Sequence, residues 1–259
     1  MSVTRRAGPP AFWPNHLKMY KDCPQRYYLQ FVHKRAGRMV DKSAMTRGRV
    51  THSVLAVAFN HLRARNTFPD SLDKRITERL SVDDYPSYDH WQHDVRVIGG
   101  WVEHAVESFD TRKSVMAVEK TYAFPFPGRS AEPPFTLNAR VDLVLRHDDG
   151  GIEHVDWKTG KRGWVDEIQN VAARIAVGKA LQEPRVVSTV SFLAAANGEH
   201  DDSSELSRQD VRDGWTTIKG LASSICTDNE WTPIQSGLCN WCPYYQHGCK
   251  LHRAPDTDS

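Results

Sequence analysis

The chain has 259 residues, 39% of them apolar and 25% charged, the composition of an ordinary globular protein long enough to bury a substantial core. No apolar stretch approaches the ~20 residues that span a bilayer, and the opening "MSVTRRAGPPAFWP" lacks the apolar centre of a signal peptide, so no membrane is expected and the cytoplasm is the expected compartment. The net charge of +2 hides an asymmetry: residues 1–50 hold eleven Lys or Arg against Asp22 and Asp41, a local +9 that leaves −7 for the rest, and such a basic end suits a polyanion such as nucleic acid.

Taken in chain order, residues 1–14 are rich in Pro and Arg and predict irregular chain, while 251–259 predict a frayed tail. Helical periodicity follows over 16–33, over 43–65 with Leu55, Phe59 and Leu62 in one row, and over 89–109. The period then changes. Residues 114–124, 135–146 and 151–158 are rich in β-branched side chains, are separated by turn-formers, and predict an antiparallel meander. A helix over 165–181 follows through Ile168, Val171, Ala172, Ile175 and Leu181, then a strand over 185–195, an acidic loop "NGEHDDSSE", and a last helix beginning at Ser207. This divides the chain into a helical region 1–110, a strand-rich core 111–200 and a C-terminal region 201–259.

The segment "ARVDLVLRHDDGGIEHVDWKTGK", residues 139–161, places charges in strands that otherwise read as buried. Charges in a core are costly unless paired or bound to a metal. Side chains two apart on a strand share a face, so Asp156 and Lys158 stand side by side, with Asp142 expected to face away from Val141, Leu143 and Leu145. A hairpin through "HDDGG" can then bring both carboxylates and the ammonium to one edge. Carboxylates suit a hard cation such as Mg²⁺ or Mn²⁺, and an ammonium beside it can orient a nucleophilic water and offset charge at a scissile phosphate. The triplet alone fits an ion pair at a hairpin end better than a hydrolytic site, and only its context favours the latter.

Five cysteines, an odd count in a chain without a secretory signal, argue against a disulfide framework. "CNWCPYYQHGC" instead reads as metal or cluster ligation, with Cys226 left as a small core residue. "KTGKRG" lacks the full phosphate-loop pattern, so any unwinding motor is a separate chain.

In order, "YKDCPQRYYL", "GRVTHSVL", "VEKTYAF", "ARVDLVL", "HVDWKTGK", "IQNVAAR" and "CNWCPYYQHGC" resemble the RecB-like branch of the PD-(D/E)XK nuclease superfamily across residues 16–250. The closer resemblance is to its iron-sulfur members: CRISPR-associated RecB-like exonucleases, the AddB-type nuclease domain and related phage exonucleases. The resemblance implies an α/β (α+β type) fold with a restriction-endonuclease-like αβββαβ core, a helical N-terminal part and a C-terminal iron-sulfur staple. It implies a metal site of His52, Asp142, Asp156 and the backbone carbonyl of Trp157 that holds Mg²⁺ or Mn²⁺, with Lys158 as the catalytic lysine and Glu119 as a possible accessory acid. Gln169 matches a Q-x3-Y helix, with Ala173 where the family has tyrosine, which puts the DNA-binding half of that motif in doubt. Cys23, Cys239, Cys242 and Cys249 match the split ligands of a [4Fe-4S] cluster; four thiolates also suit tetrahedral Zn²⁺, and the resemblance favours iron-sulfur.

The function so implied is a metal-dependent DNA nuclease, an exonuclease acting on single-stranded DNA or DNA ends, with Tyr20, Tyr27 and Tyr28 as candidates to line the strand's path. The alternative is a non-catalytic DNA-binding subunit of a recombination or repair complex. A helicase or recombination protein and further copies of the chain are the partners the resemblance suggests.

Overall fold

Residues 9–37, 43–129, 132–160, 167–194, 201–204, 206–245 and 248–252 are described in the structure, a computed structural model. The expectation of one helix over 16–33 is corrected: α1 (Pro14–Asp22) stops at Cys23, and α2 (Pro24–Tyr27) runs into a π-helical turn at Tyr28–Val32. Pro24 is the cause. A proline bars the preceding residue from helical backbone, and Cys23 is extended at φ −166°, ψ 106°. The next helix, α3 (Ser43–Arg65), falls where its periodicity predicts, burying Thr51, Val54, Leu55, Ala58 and Phe59 in a continuous stripe. A short α4 (Asp73–Thr77) and a long α5 (Tyr88–Glu107) pack beside it, the latter started by Ser87, whose hydroxyl accepts the His90 N–H.

The strands β2 (Ser114–Phe126), β3 (Phe135–Arg146) and β4 (Ile152–Lys158) form the expected antiparallel meander. Helix α6 (Glu167–Leu181) then crosses over to β5 (Val186–Phe192), which pairs in parallel with β4 along its length. The order α5-β2-β3-β4-α6-β5 reproduces the αβββαβ arrangement. Two strands were not expected: β1 (Ala11–Phe12), parallel to the start of β3, and β6 (Asp201–Ser204), which turns part of the acidic loop into an edge strand on β5. The rest of that loop, residues 195–200 and 205, lies outside the described residues, as do residues 161–166. Helix α7 (Arg208–Thr227) opens with a capping box between Ser207 and Asp210.

Two helical layers cover the sheet. On one face Val54, Phe59, Ile98 and Val102 of α3 and α5 meet Leu143, Leu145, Val155 and Trp157. On the other, Ala173, Ala176 and Val177 of α6 meet Ala117, Tyr122, Val141 and Val144, with α1 and α7 packed beyond through Leu17, Ile218 and Ala222. Tyr20 and Tyr27 are buried there, Tyr27 stacked on Trp231 at 6.0 Å, so neither lines a strand's path, while Tyr28 is half-buried. Cys226 is exposed rather than in the core. The buried row of α7 is Ile218, Ala222 and Ile225, and Cys226 falls one residue off it.

The facing of Asp142 also differs from strict alternation. Val141 packs against α6 while Leu143 and Leu145 pack against α3; on β2, Tyr122 and Ala117 lie with α6 while Val118 lies with α3. Both strands thus exchange faces at the same level and stay in register, Val118 opposite Leu143 and Lys120 opposite Val141. Glu119, between them on β2, has a left-handed φ of +49°, a conformation that a non-glycine residue adopts at a cost.

Candidate active site

β3 organises the site by serving three neighbours. β2 covers one edge over the whole strand, while β1 takes the other edge at Thr136 and Leu137 and β4 takes it from Leu143 to Arg146. The β3–β4 ladder ends at Leu143 opposite Val155, and just past that fork the Asp142 carboxylate accepts the Trp157 N–H at 2.8 Å. A side chain takes over where the ladder stops, so the two strands can part without leaving a buried amide unpaired.

Three donors gather at the fork. His52 Nδ1 lies 3.2 Å from Asp142 Oδ1 and 3.5 Å from Glu119 Oε1, and one ligand atom from each of the three residues lies within 4.8 Å of the others. His52 comes from α3, one turn before Leu55, and its ring meets Trp157 edge-on at 6.1 Å. Burial alone would push its imidazolium down; hydrogen bonds and charge from Asp142 and Glu119 outweigh that and hold it up at about 10. Glu119 reaches the group through its left-handed backbone, and its other oxygen accepts Arg140 Nε at 2.7 Å. One imidazole with two carboxylates is a donor set suited to a divalent cation such as Mn²⁺ or Mg²⁺.

A second cluster stands beside it. Lys158 Nζ lies 2.6 Å from Asp156 Oδ2 and donates to Gln169 Oε1 at 3.1 Å, while Gln169 Nε2 donates to Asp156 Oδ1 at 2.9 Å. Gln169, in the first turn of α6, thereby fixes both the carboxylate and the ammonium. Burial pushes the Asp156 carboxyl up, and Lys158 pulls against that. The expected set His52, Asp142, Asp156, Trp157 is therefore arranged as two linked groups: Glu119, expected only as an accessory, stands with His52 and Asp142, while Asp156 is held by Lys158 and Gln169. Ala173 is buried between sheet and helix. A close approach of α3 to the end of β4 went unforeseen; a Cβ on Gly48 would sit 3.1 Å from Thr159 Oγ1.

Apart from these two clusters, Cys23, Cys239, Cys242 and Cys249 line one pocket with Gln25, Arg26 and Tyr244. Cys23 is presented by the Pro24 break, and Cys239 and Cys242 by a 3₁₀ turn at Gly237–Trp241. Burial pushes the Cys249 thiol up, and the charges of the other three cysteines add to this. Four thiols on one pocket are the ligand type of a metal or cluster, since each becomes anionic once deprotonated, but no three of their sulfurs lie within 4.8 Å of one another as the donors of His52, Glu119 and Asp142 do.

A family model described as the PD-(D/E)XK nuclease superfamily matches residues 12–249. No curated protein matches the chain in sequence. Among solved structures, the crystal structure of SSO0001 covers 97% of this chain and 91% of its own at 11% identity and a TM-score of 0.44, too low to carry weight. A protein of Eubacterium rectale provisionally named an exonuclease covers 95% of this chain and 90% of its own at 10% identity and a TM-score of 0.54, a likeness of fold.

Proposed function

The chain belongs to the PD-(D/E)XK nuclease superfamily, and on that premise we propose that it is a divalent-metal-dependent deoxyribonuclease of the exonuclease type, acting on single-stranded DNA or DNA ends. One observation carries the reading: His52, Glu119 and Asp142 converge within 4.8 Å at the strand fork, next to a lysine fixed by Asp156 and Gln169. His52, Glu119 and Asp142 would hold Mg²⁺ or Mn²⁺, with Asp156 and the Trp157 carbonyl as further oxygen donors. The bound ion supplies Lewis acidity toward water and phosphate oxygens.

The chain's own residues do the rest. Lys158 orients the attacking water and donates to the phosphate oxygens as charge builds on them; the water oxygen bonds to phosphorus and gives up its proton to solvent, the phosphorus–oxygen bond to the leaving nucleotide breaks, and the leaving oxygen takes a proton from solvent. Asp156 and Gln169 keep the ammonium in place. The exonuclease name of the Eubacterium rectale protein supports end-dependence, and the basic N-terminal residues support a polyanionic substrate. The four-cysteine pocket supports a [4Fe-4S] cluster that clips residue 23 to residues 239–249 and so constrains the unfolded chain across a long loop.

The test is a digestion time course on end-labelled linear and circular DNA, single- and double-stranded, with each divalent metal. Degradation of linear DNA that requires Mg²⁺ or Mn²⁺ and stops with Lys158→Met is expected. Binding without cleavage under every metal would instead mark a non-catalytic subunit.

A further inference from the structure

Arg26 has one feature that the hydrolytic site does not use. It follows Cys23 on the short α2 and lines the four-cysteine pocket, and its Nε is buried with no hydrogen-bond partner among the described residues. An arginine Nε–H can only donate, and buried donors without an acceptor are rare enough to need an explanation.

Its neighbours narrow that explanation. Asp22, the nearby carboxylate on the pocket wall, is paired with Lys18 at 2.6 Å. Gln25 turns its Oε1 to the Cys249 thiol and the Lys250 N–H. The charge of Arg26 reaches Tyr244 on the same wall. The four cysteine sulfurs are further acceptors on the same pocket wall.

We propose that Arg26 is the charge-compensating donor to the centre held by Cys23, Cys239, Cys242 and Cys249, its Nε–H directed at thiolate or cluster sulfur. Four thiolates leave the centre net negative with either Zn²⁺ or an oxidised [4Fe-4S] core. A negative centre walled in by protein needs a nearby cation and N–H donors to persist. Arg26 supplies both from the residue three places after a ligand. If the centre is iron-sulfur, as proposed above, the same contact favours the more negative reduced form and sets the potential higher than the cysteines alone would. This inference rests on the cysteine pocket holding a centre and adds the residue that stabilises it.

The test compares anaerobically purified wild type with Arg26→Gln and Arg26→Lys. Iron, acid-labile sulfide and zinc are counted, release to a chelator is timed, and, where iron is present, the midpoint potential is measured by dye-mediated titration. Release about tenfold faster in Arg26→Gln is expected, with a potential shifted negative and Arg26→Lys in between; far-UV circular dichroism confirms that the variants fold, and Arg26→Lys carries the comparison if Arg26→Gln does not. Zinc without iron in the wild type would overturn the iron-sulfur reading while the release rates still judge Arg26. A cluster with equal release rates and potentials in wild type and variants would overturn the role of Arg26 alone. A wild type that binds neither metal, even after reconstitution, would overturn both.

Discussion

The carboxylate of Asp142 accepts the backbone N–H of Trp157 at the point where the β3–β4 ladder ends, while its other oxygen faces His52. One side chain therefore has a structural and a chemical task, and the two can be separated. Asp142→Asn keeps an acceptor for the Trp157 amide, so its stability should fall only by the lost charge pairing with His52 while cleavage falls on the order of 10²-fold or more from loss of the anionic ligand. Asp142→Leu should lose the same activity and in addition about 1–3 kcal/mol of stability, because the amide is left buried without a partner. Equal unfolding midpoints for the two variants would remove the structural task.

Glu119 tests backbone against side chain. Alanine and glycine both remove its contacts with His52 and Arg140, but glycine alone is at ease at φ +49°. Glu119→Gly should therefore be more stable than Glu119→Ala by about 1 kcal/mol, with metal affinity reduced equally in both. Denaturant unfolding and Mn²⁺ titration check the pair.

Gln169 is bonded to both Asp156 and Lys158, and under the proposed function it acts through them. Gln169→Ala should lower kcat by about 10–100-fold and leave KM for DNA nearly unchanged. A change confined to KM would make Gln169 a DNA contact instead.

His154 predicts how stability depends on pH. It is 1% exposed, bonded to Ser188 at 2.7 Å, and burial pushes its imidazolium down to about 4 from 6.5. The unfolded chain takes up this proton first as pH falls. The stability is therefore complete above about pH 6.5 and drains away as pH drops toward 4, a loss of about 2–3 kcal/mol by pH 4.5. His154→Gln should show a flatter dependence than wild type in urea unfolding at pH 7 and 4.5. Parallel profiles would assign the acid loss to carboxylates.

The cysteines divide four to one. Cys226 is exposed and outside the pocket lining, whereas Cys23 is in it. Cys226→Ser should leave metal content and cleavage at wild-type levels, while Cys23→Ser should lose bound metal and lower the unfolding temperature by several degrees, on the order of what 1–2 kcal/mol produces. Metal analysis with a melting curve reads both.

The parts of the fold that could be read in advance are those whose physics is local. Strands rich in β-branched residues and bounded by turn-formers announce β2, β3 and β4, and the row of Leu55, Phe59 and Leu62 announces α3. D-x-K spacing likewise puts Asp156 and Lys158 side by side, as they are. What escaped depends on distant chain. β1 is two residues long and exists because β3 offers it an edge, and β6 is built from Asp and Ser against β5. Pro24 was visible, but the helical period on both sides of it masked the break that presents Cys23. The left-handed Glu119 carries no glycine to advertise it, and Gly48 betrays its role only once Thr159 is found against it.

The shared exchange of faces in β2 and β3 bears on which length changes the family could accept in this hairpin. Dropping one residue near Glu119 alone would slip β2 by one position against β3 on one side of that level and break the pairing of Val118 with Leu143 or of Lys120 with Val141. The same holds for β3 at Asp142. A matched loss or gain on both strands would restore the pairing but carry the carboxylates away from His52. The hairpin is thus protected against drift in length at the one level where its chemistry resides, and natural insertions should collect in its turns, around residues 127–134 and 147–151.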